Sequence, residues 1–239
     1  MLCLTALLLS LSMVWSYVVP AEPLHCESYA CVELQYGGEI RTVEIPEGCI
    51  SLPIARLGPP TRLNMMLTPE DHTVRQLSEW VDELAERSGY TGDRDKAYIA
   101  SGLVSQNISY EWENYEVSGV TIPFDHWKLP WETVRDGKGD CEDMAILLAS
   151  ILMASGVECA LTVETDHVSV AVYGEEGYTV AWNGRTYGMM DLYKANYPGS
   201  CHMQPYMLRT YGWDMLNMLE LAGFATAAMV MIYYFIRRD

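Results

Sequence analysis

The sequence predicts an α+β fold, because helical patterns come first and segments with a period of two follow them. The helical part ends with residues 137–156, GKGDCEDMAILLASILMASG, whose centre is apolar on every side. A helix without a polar face is normally buried in the core. Beyond it, HVSVAVY at 167–173 alternates as a half-buried strand does. We therefore expect a buried helix packed on an antiparallel sheet.

An N-terminal hairpin precedes the helices. Alternating residues at 32–45 flank Gly37 and Gly38, a pattern typical of two strands joined by a tight turn. A connector rich in proline and glycine follows, and Thr-Pro-Glu-Asp at 68–71 carries the signals of a helix start, with Thr68 as N-cap and Pro69 in the first helical position. Apolar residues at helical spacing continue from there to Gly89, where we expect the helix to stop.

A second helix is predicted from about Arg94 to Ile108, and an irregular aromatic segment separates it from the buried helix. Long irregular segments inside a domain are often functional. Behind the buried helix, Asn183-Gly184 is typical of a hairpin turn. The period-two pattern predicts strands at 159–164, 167–173, 178–182 and 185–190.

Charge and length narrow the class of protein. The chain has 239 residues, with 32 acidic against 15 basic side chains and a net charge of −17. Nucleic-acid binding requires a basic footprint, so a nucleic-acid partner is not expected. The length suits one sizeable domain with small appendages. We place that domain at 68–205, behind a hairpin and connector at 24–60.

Both ends of the chain are apolar. Residues 1–20 carry no charge and end at Pro20, which predicts a signal peptide or an uncleaved N-terminal anchor. Residues 214–236 are predicted to form a transmembrane helix followed by Arg237 and Arg238, and a buried core helix is the alternative. We expect a cell-membrane protein with a single C-terminal pass, its domain outside the cytoplasm and a short cytoplasmic C-terminus.

Seven cysteines fit an exported protein better than a cytosolic one. Cys26, Cys31 and Cys49 lie near the hairpin, so one disulfide is expected among them, with the pairing left open. A zinc site that adds His25 to these three is the alternative, although the spacing matches no common zinc pattern.

Cys141 stands in the first turn of the buried helix. Asp140 is the predicted N-cap, and Glu142 and Asp143 lie where acids meet the positive end of the helix dipole. Backbone N–H groups at this position lower the pKa of a thiol, whereas the three acids raise it. Cys141 is therefore either a nucleophile that needs a nearby cation or a buried structural thiol.

His167 opens the second strand predicted after the Cys141 helix, and Asp191 lies at the end of a later strand. A thiol nucleophile needs an imidazole beside it and a carboxylate that orients the ring. Cys141, His167 and Asp191 supply these three groups. Asp166 is the alternative carboxylate, although its side chain should point to the face opposite that of its neighbour in the strand.

The motifs around these residues resemble those of the transglutaminase-like superfamily, which shares the papain-like arrangement of cysteine proteases. The similarity covers 94–193 and includes DKAYIASGLVSQNISY, WKLPWETVRDGKGDCEDMAILLASILMASGVEC, DHVSVAVY and WNGRTYGMMD. The GDCED form looks like the variant found in archaeal membrane proteins and in bacterial transglutaminase-like cysteine proteases. The resemblance implies a papain/transglutaminase-like core.

By this resemblance Cys141 is the nucleophile, His167 the general base and Asp191 the orienting carboxylate. Trp127 falls in an element before the cysteine, which implies either a wall of the substrate-binding site or core packing. The resemblance implies no required cofactor, but acids of the GDCED element bind calcium in the bacterial branch, as oxygen ligands suit that ion. N-capping explains the same acids without a metal. The corresponding residues here are Asp140, Glu142 and Asp143.

We therefore expect a membrane-anchored thiol enzyme that transfers the acyl group of an amide through a Cys141 thioester. A cysteine protease or amidase acting on a protein or peptide is favoured over transamidation or deamidation, because hydrolysis needs only water as acceptor. The alternative class is a catalytically inactive transglutaminase-like module that binds or scaffolds in the cell envelope. A structural ectodomain with an oxidised Cys141 is a further alternative.

Overall fold

The computed structural model of the protein describes residues 26–49, 60–112, 114–117, 120–123, 127–164, 167–174, 179–182, 185–190 and 206–209. Helices and sheets are both present, so the predicted mixed class is confirmed. The predicted segments 1–20 and 214–236, and the C-terminal limit of the domain predicted at 68–205, lie outside these ranges. Within the described ranges, no helix combines the length and the apolar character that crossing a membrane requires.

The helices of the described residues follow the sequence pattern with one addition. They are α1 (His72–Ser88), α2 (Asp93–Asn107), α3 (Pro130–Asp136) and α4 (Cys141–Ala154), after a 3-10 helix at Pro60–Met66. The addition is α3, which lies in the segment predicted to be irregular. Its first residue, Pro130, suits the start of a helix, and the Glu132 carboxylate accepts the N–H of Leu129 at 2.9 Å. This local cap explains a helix too short to show a period.

The strands form one five-stranded sheet and three pairs. In chain order they are β1 (Ser28–Tyr36), β2 (Glu39–Glu47), β3 (Ser109–Tyr110), β4 (Asn114–Val117), β5 (Val120–Pro123), β6 (Lys138–Gly139), β7 (Cys159–Val163), β8 (Val168–Tyr173), β9 (Thr179–Trp182), β10 (Arg185–Met190) and β11 (Tyr206–Arg209). The large sheet has the order β11-β7-β8-β10-β9, with every neighbouring pair antiparallel. The predicted antiparallel sheet is therefore present, with β11 as an unpredicted edge strand.

The N-terminal hairpin is longer than predicted but turns at the predicted glycines. Its strands pair from Ser28 with Glu47 to Tyr36 with Glu39. Gly37 and Gly38 have φ values of 60° and 86°, which residues with a side chain rarely adopt and which this tight turn requires. The apolar face of the hairpin packs into the same core as the helices through Leu34, Val43 and Ile45. The hairpin is thus a separate two-stranded sheet that shares the main core.

A disulfide joins Cys26 to Cys49 across the ends of the hairpin, and Cys31 is free and exposed. The expected disulfide is therefore present, and its pairing is now known. It uses two of the three sulfur atoms that the alternative zinc site required.

The start of α1 differs from the prediction by about one turn. Asp71, rather than Thr68, is the N-cap, because its carboxylate accepts the N–H groups of Thr73 and Val74 at 2.9 and 3.2 Å. Thr68 begins a turn in which its carbonyl accepts the N–H of Asp71. Thr68 and Asp71 can both cap a helix. Asp71 is the N-cap here because its carboxylate accepts two N–H groups of the first turn. The helix ends at Gly89 as predicted.

Helix α4 is the centre of the core, as its sequence predicts. Every residue from Cys141 to Leu152 is buried, and each fully buried leucine or isoleucine contributes about 2 kcal/mol to stability. The helix packs on α1, α2, α3 and strands β7 and β8. Alternate residues of β8, Val168, Val170 and Val172, lie in the same core cluster. This packing sets the N-terminus of α4 against the first residue of β8.

Candidate active site

The Cys141 sulfur lies where the N-terminus of α4 meets the start of β8. The side chain is 7% exposed. The backbone N–H of Val168 donates a hydrogen bond to the sulfur, and the thiol donates to the Glu142 carboxylate at 3.1 Å. Cys141 is free, which removes the alternative of a structural disulfide at this position.

The surroundings of Cys141 favour the protonated thiol. Burial raises its pKa strongly, the charge of Glu142 and its hydrogen bond raise it further, and the Val168 N–H opposes them. Asp140 adds a smaller rise. Glu142 and Asp140, two of the three acids beside the cysteine, therefore raise the pKa of the thiol as expected. Cys141 in this arrangement starts as a neutral thiol and must lose its proton during a reaction.

His167 immediately precedes β8 and is 4% exposed. Its carbonyl accepts the N–H of Glu164 at 2.7 Å, which closes the connection between β7 and β8. Because Val168 donates to the Cys141 sulfur, His167 is one residue away from the backbone group that touches the thiol. The structure thus brings together the parts of the chain that carry the predicted nucleophile and the predicted base.

Asp191 and the alternative Asp166 both lie outside the described residues. The strand before Asp191 is described: β10 ends at Met190, which pairs with Val170 of β8. The chain therefore leaves β10 at the same end of the sheet where His167 enters β8. The role of Asp191 as the orienting carboxylate stays a prediction.

Asp143 and Asp140, two of the acids at the N-terminus of α4, differ in their hydrogen bonds. Asp143 is fully buried, and its two oxygens accept the backbone N–H of Lys128 at 2.7 Å and the Lys128 ammonium at 2.8 Å. Burial raises the pKa of Asp143, the charge of Asp140 adds to the rise, and Lys128 opposes it. Asp140 is the N-cap residue, but its side chain makes no capping hydrogen bond, contrary to the prediction. The first-turn N–H groups thus lack a cap from Asp140.

Lys128 is the residue that sequence reasoning missed. It is only 8% exposed, although lysine is almost never fully buried without a partner. The signal in the sequence is a lysine enclosed by apolar residues in WKLPW at 127–131, one segment before three closely spaced acids. Its ammonium forms an ion pair with Asp143 at 2.8 Å.

Trp127 is buried and belongs to the core cluster. It directly precedes Lys128, which is held on α4 through Asp143, so Trp127 lies beside the first turn of the cysteine helix. This position agrees with the packing role that the sequence analysis allowed. A wall of the substrate-binding site at Trp127 stays a prediction.

The arrangement of the acids does not fit the calcium ligand set implied by the resemblance. Asp143 has both oxygens on Lys128, and Glu142 faces the thiol of Cys141. Over the described stretches of the chain, no three His, Cys, Asp or Glu side chains are grouped to hold a metal ion. We therefore derive no step of the chemistry through calcium.

Comparisons with known proteins agree with the motifs. Residues 73–190 match the family model of the transglutaminase-like domain. Among solved structures, the chain is similar to Legionella pneumophila LapG, with 19% identity, 65% of this chain and 80% of that chain covered, and a TM-score of 0.40. A calcium-bound form of the same protein gives 21% identity, 56% and 85% coverage and a TM-score of 0.27.

A putative protease from Parabacteroides distasonis is similar at 14% identity, over 77% of this chain and 41% of that one, with a TM-score of 0.34. No curated protein matches the chain significantly. The resemblance seen in the motifs is confirmed by the match to the family model, which spans α1 to β10 and contains both Cys141 and His167. Residues 73–190 of this chain are a transglutaminase-like domain.

Proposed function

We propose that the protein is a thiol enzyme that performs acyl transfer on the amide of a protein or peptide, acting as a cysteine protease or amidase. The observation that carries this proposal is the hydrogen bond from the Val168 N–H to the Cys141 sulfur. The cysteine stands at a helix N-terminus, and the N–H that contacts its sulfur belongs to the residue after buried His167, inside a transglutaminase-like domain.

In the proposed reaction the Cys141 sulfur attacks the carbonyl carbon of the amide while His167 accepts the thiol proton. His167 then returns that proton to the leaving amine, and a thioester remains on Cys141. Water attacks the thioester, releases the acid and regenerates the thiol. Asp191 would hold the imidazole in the required orientation. No cofactor takes part in these steps.

The start of α4 offers a site for the oxyanion of the tetrahedral intermediate. Asp140 does not cap the first turn with its side chain, so N–H groups there are not taken by that carboxylate. Backbone N–H groups at a helix N-terminus are suitable donors to a developing negative charge. This is a second way in which the position of Cys141 supports acyl transfer.

The test is the rate at which iodoacetamide alkylates Cys141 at pH 8, compared between the wild type and His167→Ala. General-base assistance contributes roughly a hundredfold or more, so we expect the variant to lose that factor. Two other thiols serve as internal references: Cys31 is free and exposed, and Cys159 is free and buried. His72→Ala is the matched control, because His72 is an exposed histidine paired with Glu44. The proposal would be refuted if Cys141 were alkylated at the same rate in His167→Ala as in the wild type.

A catalytically inactive binding module is the second candidate, and the surroundings of the thiol favour it. Burial and Glu142 raise the pKa of Cys141, and a silent domain needs no reactive thiol. This candidate predicts that Cys141 reacts no faster than Cys159 and that Cys141→Ala leaves the cellular role of the protein intact. The alkylation experiment therefore separates the two candidates.

We also propose that the domain lies outside the cytoplasm on a membrane anchor at 214–236. The disulfide between Cys26 and Cys49 supports an oxidising compartment. Cys31 provides the test because it is free and exposed. A membrane-impermeant maleimide should label Cys31 in intact cells, with Cys31→Ser as the control. Labelling that appears only after lysis would place the domain inside.

A further inference from the structure

We propose that Lys128 is the resident cation of the acid cluster at the cysteine helix, and that its ammonium does there what a divalent cation would do. The cluster is the set Asp140, Glu142 and Asp143, all buried at the N-terminus of α4. Charges removed from water are costly unless they are paired. Within four residues the chain buries three such groups, so the cluster needs a positive partner.

Lys128 is placed to be that partner. Its ammonium lies 2.8 Å from one Asp143 oxygen, and its backbone N–H lies 2.7 Å from the other. The lysine side chain is 11% exposed and that of Asp143 is not exposed at all, so water screens the pair little. Both oxygens of the deepest acid are therefore already bound by a single residue.

The backbone fixes this pair from two sides. A Cβ atom at Gly139 would lie 2.7 Å from the Asp143 Cβ and 2.9 Å from its Oδ2, so the Asp143 side chain packs directly against the backbone there. On the other side, the next N–H after Lys128, that of Leu129, donates to the buried Glu132 carboxylate at 2.9 Å. Two consecutive N–H groups are thus held by two buried acids, and the ammonium is held with them.

Calcium requires six to eight oxygen ligands around it. Here Asp143 is closed by Lys128 and Gly139, and Glu142 faces the thiol of Cys141. An ammonium needs fewer ligands and is covalently part of the chain, so it pairs with the deepest acid of the cluster without a free ion. The inference is that this domain keeps its cysteine helix in place independently of calcium.

The test is the thermal unfolding midpoint of the full chain with 1 mM calcium chloride or 1 mM EGTA, for the wild type, Lys128→Met and Lys138→Met. Lys138 is the matched control, because it makes an ion pair of similar length with Glu111 but is exposed. We expect the wild type to show the same midpoint in both solutions. Lys128→Met should lower the midpoint by roughly 10 °C in EGTA, since it leaves a buried charge unpaired, and Lys138→Met should change it little.

Calcium should raise the midpoint of Lys128→Met and leave that of Lys138→Met unchanged, because only the first variant vacates the place of a cation. A purely structural role for Lys128 would lower the midpoint without creating a calcium response, and that result would overturn the proposal. A wild type that binds terbium saturably, or melts earlier in EGTA, would overturn it even if Lys128→Met fails to fold. No activity is measured, so the outcome is independent of the proposed thiol chemistry.

Discussion

Two free thiols of the described residues are buried in one core, and their surroundings differ. Cys141 begins α4, and Cys159 begins β7. They are 7% and 3% exposed, and burial raises the pKa of both. The hydrogen bond described for Cys159 is donated by its thiol to the backbone carbonyl of Ala149, at 3.7 Å. Cys141 instead has a backbone N–H and a carboxylate beside its sulfur, and that N–H belongs to the residue after His167.

The comparison separates burial from function. A cysteine in an apolar core is expected to be inert, and Cys159 lies in such surroundings. Cys141 is nearly as buried, yet the N–H of Val168 stabilises a negative charge on its sulfur. What distinguishes the candidate nucleophile is therefore the set of polar groups around the sulfur.

The largest difference should appear when each thiol is removed. Cys141→Ala should lower the turnover of p-nitrophenyl acetate by at least about a thousandfold, because no acyl-enzyme can form. Cys159→Ala should keep the wild-type turnover and lose about 1 kcal/mol of stability from the small cavity. Release of p-nitrophenol measures the first effect and urea unfolding the second. Equal turnover in the two variants would mean that Cys141 is not the nucleophile.

A smaller difference should follow when the neighbouring acid is neutralised. Glu142→Gln should lower the pKa of Cys141, since the charge of Glu142 and its hydrogen bond both raise that pKa. The alkylation rate of Cys141 at pH 8 should rise about tenfold for each pKa unit. Glu158→Gln is the matched variant, because the charge of Glu158 raises the pKa of Cys159. Each substitution should change the alkylation rate of its own thiol only, as measured by peptide mapping. Faster alkylation of both thiols in one variant would mean that the substitution had destabilised the core as a whole.

The smallest effect concerns stability at alkaline pH. Burial raises the pKa of Cys159 to about 12, above that of an unfolded chain, so the folded state holds the proton longer. The resulting stability is complete below about pH 9 and is lost as the pH rises towards 12, by at most about 1.4 kcal/mol per pH unit. Cys159→Ala should flatten this decline in urea unfolding between pH 8 and pH 10. Cys31→Ala should not flatten it, since that thiol is exposed. An unchanged slope in Cys159→Ala would contradict the assigned burial effect.

Much of the fold could be predicted because it depends on local chemistry. The apolar run of α4, the alternation in β8 and the glycine turn of the hairpin each show their structure over a few neighbouring residues. The start of α1 was misplaced because Thr68 and Asp71 are both competent caps, and only the number of N–H groups within reach decides between them. Short α3 was missed because seven residues are too few to show a helical period.

The chemical groups of the candidate site are recognisable in the sequence: a cysteine at the start of a buried helix, acids on either side of it, and a histidine before a later strand. These are properties of neighbours in the chain, and local rules suffice to recognise them. Tertiary structure decided the partners of those groups. The Lys128 ammonium reaches Asp143 fifteen residues away, and the N–H of Val168 reaches Cys141 across the contact of helix and sheet. Such contacts arise only when the core closes, because no local pattern records which surfaces will meet.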